Sequence, residues 1–123
     1  MSALRVGIEG GQTSFRPGER LWGAAAWELA APVDSVEVRL IWRTEGKGTV
    51  DVEVVDRARF EGPTAQGAEE FRFQLPASPY SFSGKLISLL WGVEVVALPG
   101  GAAERVHFRM SPTGEEIVLG DGP

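Results

Sequence analysis

Residues 79–97 read PYSFSGKLISLLWGVEVVA, and this stretch decides the fold because three different structures could produce it. The Gly84-Lys85 pair could end a phosphate-binding loop, but that loop requires G-x-x-x-x-G-K-[ST] before a helix. Here proline stands at the position of the first glycine, and leucine follows the lysine. The apolar run from Leu86 to Leu98 contains Glu94 and is shorter than the ~20 residues that cross a bilayer. We therefore predict a turn followed by a long β-strand.

The strand predicted from Lys85 to Leu98 carries apolar residues on both of its faces. Successive side chains of a strand point to opposite sides of the sheet, so odd and even positions form two faces. A strand that is apolar on both faces lies in the middle of a sheet, with its second face covered by the protein or by a partner. One face carries Ile87, Leu89, Trp91, Val93 and Val95, and the other carries Leu86, Leu90, Val96 and Leu98.

The same period of two recurs along the chain and predicts an all-β protein, an antiparallel β-sandwich of seven or eight strands. Turn residues separate the alternating segments, and no segment has a convincing helical period. The clearest strand is SVEVRLIWRT at 35–44, in which apolar and charged residues alternate. The remaining strands are predicted at 4–9, 20–29, 49–56, 69–76, 104–110 and 117–119, with a tight hairpin turn at 45–48.

Three further segments, at 20–29, 49–56 and 58–68, require a choice between a regular element and a loop, or between the two faces of a strand. RLWGAAAWEL at 20–29 is ambiguous, because its three alanines favour a helix while Gly23 weakens one. Its alternation favours a strand with small residues where another part of the chain packs closely. TVDVEVVD at 49–56 is predicted to be a strand whose valines face inward and whose acidic residues face water. Residues 58–68 are predicted to be mostly loop.

The composition indicates one folded domain over residues 1–123, with a partly flexible tail at 111–123. Hydrophobic residues form 43% and charged residues 24% of the chain, as is typical of globular proteins. The net charge of −5 repels phosphate backbones, so nucleic acid is not expected as a partner. The chain has no cysteine, which excludes disulfides and thiolate metal sites. This and the N-terminus, which lacks signal-peptide character, favour a cytoplasmic protein.

The residues that could carry chemistry do not form a recognisable active site. His107 is the only histidine and alternates with arginines, so we interpret it as a surface residue on the polar face of a strand. Neighbouring carboxylates in Glu69-Glu70 and Glu115-Glu116 point to opposite faces, which makes them poor partners for acid–base chemistry. A calcium site from the acidic residues at 51–56 is also disfavoured. We predict no catalytic residue, no cofactor and no metal.

Two separated stretches resemble the signatures of arrestin N-terminal-like domains. FRPGERLWG at 15–23 resembles the first, in which an aromatic residue and Pro-Gly-Glu precede a strand that reaches glycine. LPASPYSFSGKLISLLWGVEV at 75–95 resembles the second, a proline-rich crossing followed by Ser-x-x-Gly-Lys and a strand, and VEVRLIWRTEGKGT at 36–49 resembles the hairpin between them. The resemblance covers roughly residues 3–110. It is closest to small bacterial arrestin-like proteins, a group that includes sporulation-control proteins, and more distant to the retromer cargo subunit.

The resemblance implies an immunoglobulin-like sandwich that works through protein contacts and not through catalysis. Arrestins have two such sandwiches joined by a polar core, whereas this chain has the length of one. The Pro-Pro-x-Tyr motif of α-arrestins is also absent, because Ser78-Pro79-Tyr80 does not supply it. Receptor or phosphate sensing therefore cannot be transferred to this chain.

The apolar residues on outward faces indicate where a protein partner would bind. Trp27, Trp42 and Trp91 fall on inward faces, whereas Trp22 falls on the opposite face of its strand. Burial within the fold is the favoured interpretation of Trp22, and the alternative is contact with a partner, because aromatic anchors are common at interface centres. We predict a non-enzymatic binding or scaffold module, in the simplest case self-associating. The alternatives are a structural subunit of a larger assembly and, less favoured, a small-ligand carrier or an enzyme. The predicted contact residues are Trp22, Ala24, Ala26, Leu86, Leu90 and Val96.

Overall fold

The chain folds almost entirely into β-strands in the computed structural model, which describes residues 2–46, 50–84, 86–115 and 117–118. Within these ranges seven strands have six or more residues and three have two, and a short 3-10 turn spans Glu9–Gly11. The prediction of an all-β sandwich of seven or eight strands is thereby confirmed. The strands are β1 (Ala3–Ile8), β2 (Ser14–Phe15), β3 (Arg20–Glu28), β4 (Ser35–Gly46), β5 (Val52–Glu61), β6 (Gln66–Gln74), β7 (Phe82–Ser83), β8 (Ile87–Leu98), β9 (Ala103–Met110) and β10 (Ile117–Val118).

The strands form two sheets with an immunoglobulin-like order. The small sheet has the order β1-β3-β6, and the large sheet places β4 between β5 and β8, with β7 and β9 on the other side of β8. The two-residue strands β2 and β10 pair in parallel with β9 and β7. Among the seven long strands, β1, β3 and β6 lie in one sheet and β4, β8 and β9 lie in the other. These are the first, second and fifth and the third, sixth and seventh long strands, which immunoglobulin domains divide between their sheets in the same way. The fourth, β5, pairs with the third.

The core lies between the two sheets and is built from the inward positions of each strand. Trp91 is completely buried at its centre, and its indole Nε1 donates a hydrogen bond to the Pro79 carbonyl oxygen at 2.8 Å. The ring of Phe108 lies 6.0 Å from that of Trp91 and 5.2 Å from that of Phe15. The long strand β8 therefore fills the centre of the sandwich, as the period-two pattern predicts, and one aromatic hydrogen bond ties it to the crossing loop.

The ambiguous segment at 20–29 is a strand, as predicted, and its small residues have a packing role. β3 is the central strand of the small sheet, hydrogen-bonded to β1 on one side and β6 on the other. A Cβ atom on Gly23 would lie 2.4 Å from the carbonyl oxygen of Gly7 and 2.4 Å from Cζ of Phe71. The helix propensity of the alanines is overridden because this strand needs small side chains where β1 and β6 approach it.

The segment after the hairpin differs from its prediction in two ways. Residues 58–68 are not mostly loop, because β5 continues to Glu61 and β6 already begins at Gln66. The register shifts opposite Leu40 and Ile41, which leaves Val55 as an extra residue in β5. A β-bulge of this kind reverses which residues face the core. Val52 is consequently 55% exposed, and Ala58 and Phe60 pack against the core instead.

Several predicted features fall partly outside the described residues. The hairpin turn predicted at 45–48 includes positions 47 and 48, which lie outside them, as does position 85 in the opening stretch. The strand predicted at 117–119 is confirmed for its first two residues, which pair with β7. Residues 119–123 of the predicted tail also lie outside the described part of the chain. No helix among the described residues is long and apolar enough to cross a membrane.

The Pro-Gly-Glu motif forms a hydrogen-bonded turn that joins β2 to β3. The amide of Glu19 donates to the Arg16 carbonyl at 3.1 Å, and Gly18 has a φ of 80°, which is the geometry of a type II turn. The Glu19 carboxylate accepts hydrogen bonds from the Arg16 amide at 2.9 Å and from Gln12 Nε2 at 3.0 Å. These hydrogen bonds, first that of Arg16, lower the pKa of Glu19. Local turn chemistry therefore accounts for this motif.

Replacing Gly18 by alanine is expected to lower the free energy of unfolding by about 1–2 kcal/mol, because a Cβ is strained at positive φ. A Cβ atom there would meet no described atom within 4 Å, so the loss comes from the backbone alone. Gly18→Asn is the matched control, since asparagine tolerates this conformation better and should lose less. Urea denaturation of the three proteins measures the effect. An alanine variant as stable as the parent would contradict this account.

Candidate partner-binding surfaces

The six predicted contact residues lie on two separate surfaces, on opposite sheets. Trp22, Ala24 and Ala26 share the outward face of β3 in the small sheet, beside residues of β1 and β6. The other three belong to the large sheet or to the segment just before it, because β8 begins at Ile87. The structure therefore brings together only the first three. The name Trp22 face is used below for the surface formed by Arg5, Gly7, Trp22, Ala24, Ala26, Ala68, Glu70 and Arg72.

The Trp22 face consists of a prominent aromatic side chain beside a floor of small residues. Trp22 is 44% exposed, and the guanidinium of Arg72 on β6 lies 5.6 Å from the centre of its ring. This distance is within the range of a cation–π contact, which holds the ring in place. One step along β3, Ala24 lies between Gly7 of β1 and Glu70 of β6. The neighbouring backbones are thus accessible beside the ring.

A shallow recess opens next to the indole of Trp22. Its volume is about 410 Å³, and it exists because glycine and alanine occupy outward positions where other residues would fill the space. Carboxylates stand at its rim, and the indole forms one wall. A flat apolar group could lie against the floor while its polar neighbours reach the rim. The lining residues are Gly7, Ile8, Glu9, Trp22, Gly23, Ala24 and Glu70.

The second predicted surface, on the large sheet, is mostly covered. Leu86 is 72% exposed, as a contact residue should be, but Val96 is only 5% exposed and Leu90 is half-buried. Val96 is therefore wrong as a residue that a partner could touch directly. Its neighbours across the sheet are Glu37 and Ala103.

The outward face of the large sheet gathers most of the arginines of the chain, and it is called the arginine face below. The carboxylate of Glu37 is 2% exposed and accepts from Arg39 Nε at 2.9 Å, with Arg57 Nη1 at 3.4 Å. Glu94 pairs with Arg105 at 3.0 Å. The sequence shows no run of basic residues, because these arginines come from three different strands and alternate there with other residues. They are Arg39, Arg43, Arg57, Arg59, Arg105 and Arg109.

His107 lies on the same face and is exposed, as predicted for a surface residue. It lies opposite Gly92 of β8. Partial burial lowers the pKa of His107, and the positive charges of Arg105 and Arg43 lower it further. The imidazole is therefore neutral over a wider pH range than usual, in a region of positive potential. Among the described residues, no group of three or more His, Cys, Asp or Glu could hold a metal ion.

Comparisons with known proteins describe the fold but not a family. No family model matches the chain, and no curated protein sequence matches it. The chain resembles the structure of a beta-glucosidase from Listeria innocua, with a TM-score of 0.50, 13% identity and coverage of 96% of this chain. The same enzyme in complex with isofagomine gives a TM-score of 0.51 at 12% identity and 97% coverage. The chain spans only 17% of the length of those enzyme chains, so the likeness shows a shared fold alone.

Proposed function

We propose that this chain is a non-catalytic binding module that uses the Trp22 face as its contact surface, in the simplest case for a second copy of itself. The observation that carries the proposal is the exposed indole of Trp22 beside an open recess on the same face. Exposed tryptophans that can enter a pocket are typical anchors of protein interfaces. The site needs no cofactor for this role.

The Trp22 face is suited to self-association because it carries both a projecting group and a recess. In a two-fold symmetric dimer each patch meets its own copy. The indole of one copy would then enter the recess over Gly7 and Ala24 of the other. Glycine and alanine at the floor let the two sheets approach closely, which favours tight packing at the centre of an interface.

The charges around the Trp22 face also favour contact with itself. Arg5 and Arg72 lie on the same outward face as Glu70, so positive and negative groups alternate around the small residues. A two-fold axis can place each arginine opposite a carboxylate of the other copy, and complementary charges of this kind fix the register of an interface. A patch of one sign would instead repel its own copy.

The arrestin resemblance is part of the same proposal. Its Pro-Gly-Glu stretch at 17–19 lies in a hydrogen-bonded turn, and what the resemblance contributes to function is the expectation of a scaffold that works by protein contacts. We also propose a cytoplasmic location, on the lack of cysteine. The alternative is a fixed subunit of a larger assembly, in which the same face docks a different protein.

Light scattering across a concentration series tests the self-association. The parent should pass from monomer to dimer, whereas Trp22→Glu should remain monomeric at least tenfold beyond the parent's midpoint, because a charge replaces the anchor. Leu86→Glu is the matched control, since it places the same charge on the other predicted surface and should leave the dimer intact. Urea denaturation verifies that both variants fold.

Other outcomes of these experiments would change the assigned contact surface or the assigned partner. A parent that stays monomeric at high concentration contradicts self-association. Purification from the native host then decides whether a stoichiometric partner is lost with Trp22→Glu, which supports the subunit alternative. A dimer or partner that is lost with Leu86→Glu and kept with Trp22→Glu would contradict the Trp22 face as the contact surface.

A further inference from the structure

The small sheet ends on one side in β6, and the outer edge of this strand is open. The sheet order places β6 last, and β3 is its pairing partner among the described strands. That pairing runs from Gln66 to Gln74 without a register shift, so the edge is long and regular. Such an edge presents a row of backbone N–H and C=O groups with which another strand can pair.

Two other terminal strands are less suited to receive a strand. β5 ends the large sheet, but the extra residue Val55 interrupts its ladder, and a bulge of this kind protects an edge. β1 ends the small sheet on its other side, but it lies close to β9 and β8 of the large sheet. β6 contains neither a bulge nor a proline over its nine residues. Its edge is therefore the most regular of the three.

The phase of the hydrogen bonds shows which backbone groups of β6 face the open edge. The Leu75 amide donates to the Glu19 carbonyl oxygen at 2.9 Å, and the Leu29 amide donates to the Ala65 carbonyl oxygen at 2.7 Å. In an antiparallel ladder every second residue bonds to the same neighbouring strand. Odd-numbered residues of β6 therefore bond to β3, and even-numbered residues turn their N–H and C=O groups to the edge. These even-numbered residues include Ala68, Glu70, Arg72 and Gln74.

The middle of this edge carries more negative than positive charge. Glu69, Glu70 and Arg72 are exposed, whereas Phe71 among them is buried. Glu70 and Arg72 share the outward face with Trp22, whereas Glu69 has the core-facing parity of Phe71. A charge at an inward position of an edge strand prevents pairing with unselected strands. A strand that pairs here must offset both glutamates, which requires basic side chains.

We propose that the open edge of β6 receives an extended, basic segment of a partner protein, which adds a fourth strand to the small sheet. An antiparallel segment can place an acidic residue opposite Arg72 and basic residues opposite Glu70 and Glu69, and such cross-strand pairs stabilise a sheet. Main-chain hydrogen bonds supply the affinity, and the side-chain pairs select the partner. The net charge of −5 also attracts a basic segment. A second copy of this chain would instead bring two more glutamates to the edge.

Binding at the β6 edge does not depend on the proposed function. The edge contact uses backbone groups of β6, whereas self-association uses the indole of Trp22. Peptide titrations are therefore carried out on the parent below its dimer midpoint and on Trp22→Ala, which removes the indole without adding a charge. Both proteins should bind the peptide. A parent that stays monomeric in light scattering but binds the peptide would contradict the proposed function and support the edge contact.

Amide hydrogen exchange, followed by NMR, tests the edge directly. In the free protein the amides of Glu70 and Arg72 should exchange quickly, and those of Phe71 and Phe73 slowly, because only the second pair bonds to β3. The probe is the blocked heptapeptide Thr-Val-Glu-Val-Lys-Lys-Thr. Its third, fifth and sixth residues lie opposite Arg72, Glu70 and Glu69 in the antiparallel register. Saturating peptide should slow exchange at Glu70 and Arg72 at least about tenfold, because both amides then donate to the peptide.

N-methylation of the peptide distinguishes strand addition from charge attraction. Methyl groups on the third and fifth amides block hydrogen bonds to β6 and should weaken binding at least about tenfold. Methyl groups on the fourth and sixth amides point away from β6 and should leave binding nearly unchanged. The charge-exchanged peptide Thr-Val-Lys-Val-Glu-Glu-Thr should bind the parent about tenfold more weakly. It should bind the double variant Glu69→Lys with Glu70→Lys more tightly than it binds the parent.

Three results would overturn the proposal. The first is that the peptide leaves amide exchange at Glu70 and Arg72 unchanged. The second is that the two methylation patterns weaken binding equally, since the backbone of β6 would then make no directed contact. The third is that the two amides become protected in Trp22→Ala as the protein concentration rises without peptide, because the strand that pairs with β6 would then come from a second copy.

Discussion

Replacing Gly23 by alanine is expected to lower the free energy of unfolding by about 3 kcal/mol, the upper range for overpacking. The new Cβ would lie 2.4 Å from the carbonyl oxygen of Gly7 and 2.4 Å from Cζ of Phe71. The first contact is with backbone of a hydrogen-bonded neighbour, and the second is with a buried ring, so neither can move freely. Against a typical total of 5–15 kcal/mol this loss is large. Urea denaturation followed by tryptophan fluorescence measures it.

Gly7→Ala is the matched control for that substitution. Gly7 lies on the adjacent strand, one pair along from Gly23, and a Cβ there would meet no described atom within 4 Å. We expect a change within about 0.5 kcal/mol, as for other unhindered surface positions. Adding Phe71→Leu to Gly23→Ala should recover part of the loss by removing one of the two contacts. Equal stabilities of the two alanine variants would contradict close packing as the cause.

The sheet pattern could be predicted from the sequence where apolar and polar residues alternate without interruption. In β3 the alternation outweighed the helix propensity of three alanines, and the outward position of Trp22 followed directly from it. Trp22 is 44% exposed, although burial of its ring within the fold was the favoured alternative. The recess beside Trp22 could not be predicted, because it depends on which residue of β1 faces Ala24, and that register is set only when the strands pair.

The error at β5 has a different physical cause. TVDVEVVD alternates perfectly, but alternation does not reveal that Val55 is an extra residue opposite β4. A single bulge reverses the faces, so Val52 is exposed although Phe60, an even number of residues further on, packs against the core. Bulges arise from the fit between two strands, and the pattern of one strand contains little information about them.

The arginine face was missed for a related reason. Its arginines alternate with apolar residues in three separate strands, so none of them belongs to a basic run in the sequence. The arginines come onto one surface only when the strands pair. β4 pairs with β5 on one side and with β8 on the other, and β8 in turn pairs with β9. The same assembly covers Val96, whose apolar outward position was interpreted as a contact surface. Faces formed across several strands are properties of the topology.

Arg39→Met is expected to cost about 3 kcal/mol of unfolding free energy, because it removes one partner of a buried charge. Among the residues that the structure describes, the Glu37 carboxylate would keep one cationic partner, Arg57, whose side chain is 57% exposed and whose Nη1 lies 3.4 Å away. Methionine preserves most of the aliphatic length, so the loss reports on charge and hydrogen bonding and less on packing. Urea denaturation at neutral pH measures the effect.

The double variant Glu37→Met with Arg39→Met distinguishes a buried unpaired charge from lost packing. Replacing both partners of a buried ion pair by apolar residues is often neutral, whereas removing one partner is costly. The double variant should therefore be more stable than Arg39→Met alone. Arg59→Met is the matched control on the same face, since its pair with Glu61 is exposed on both sides and should change stability by less than about 1 kcal/mol. Equal losses of unfolding free energy in Arg59→Met and Arg39→Met would contradict this account. The burial of Glu37 would then not determine the stability of this face, and the arginines would act only through their summed charge.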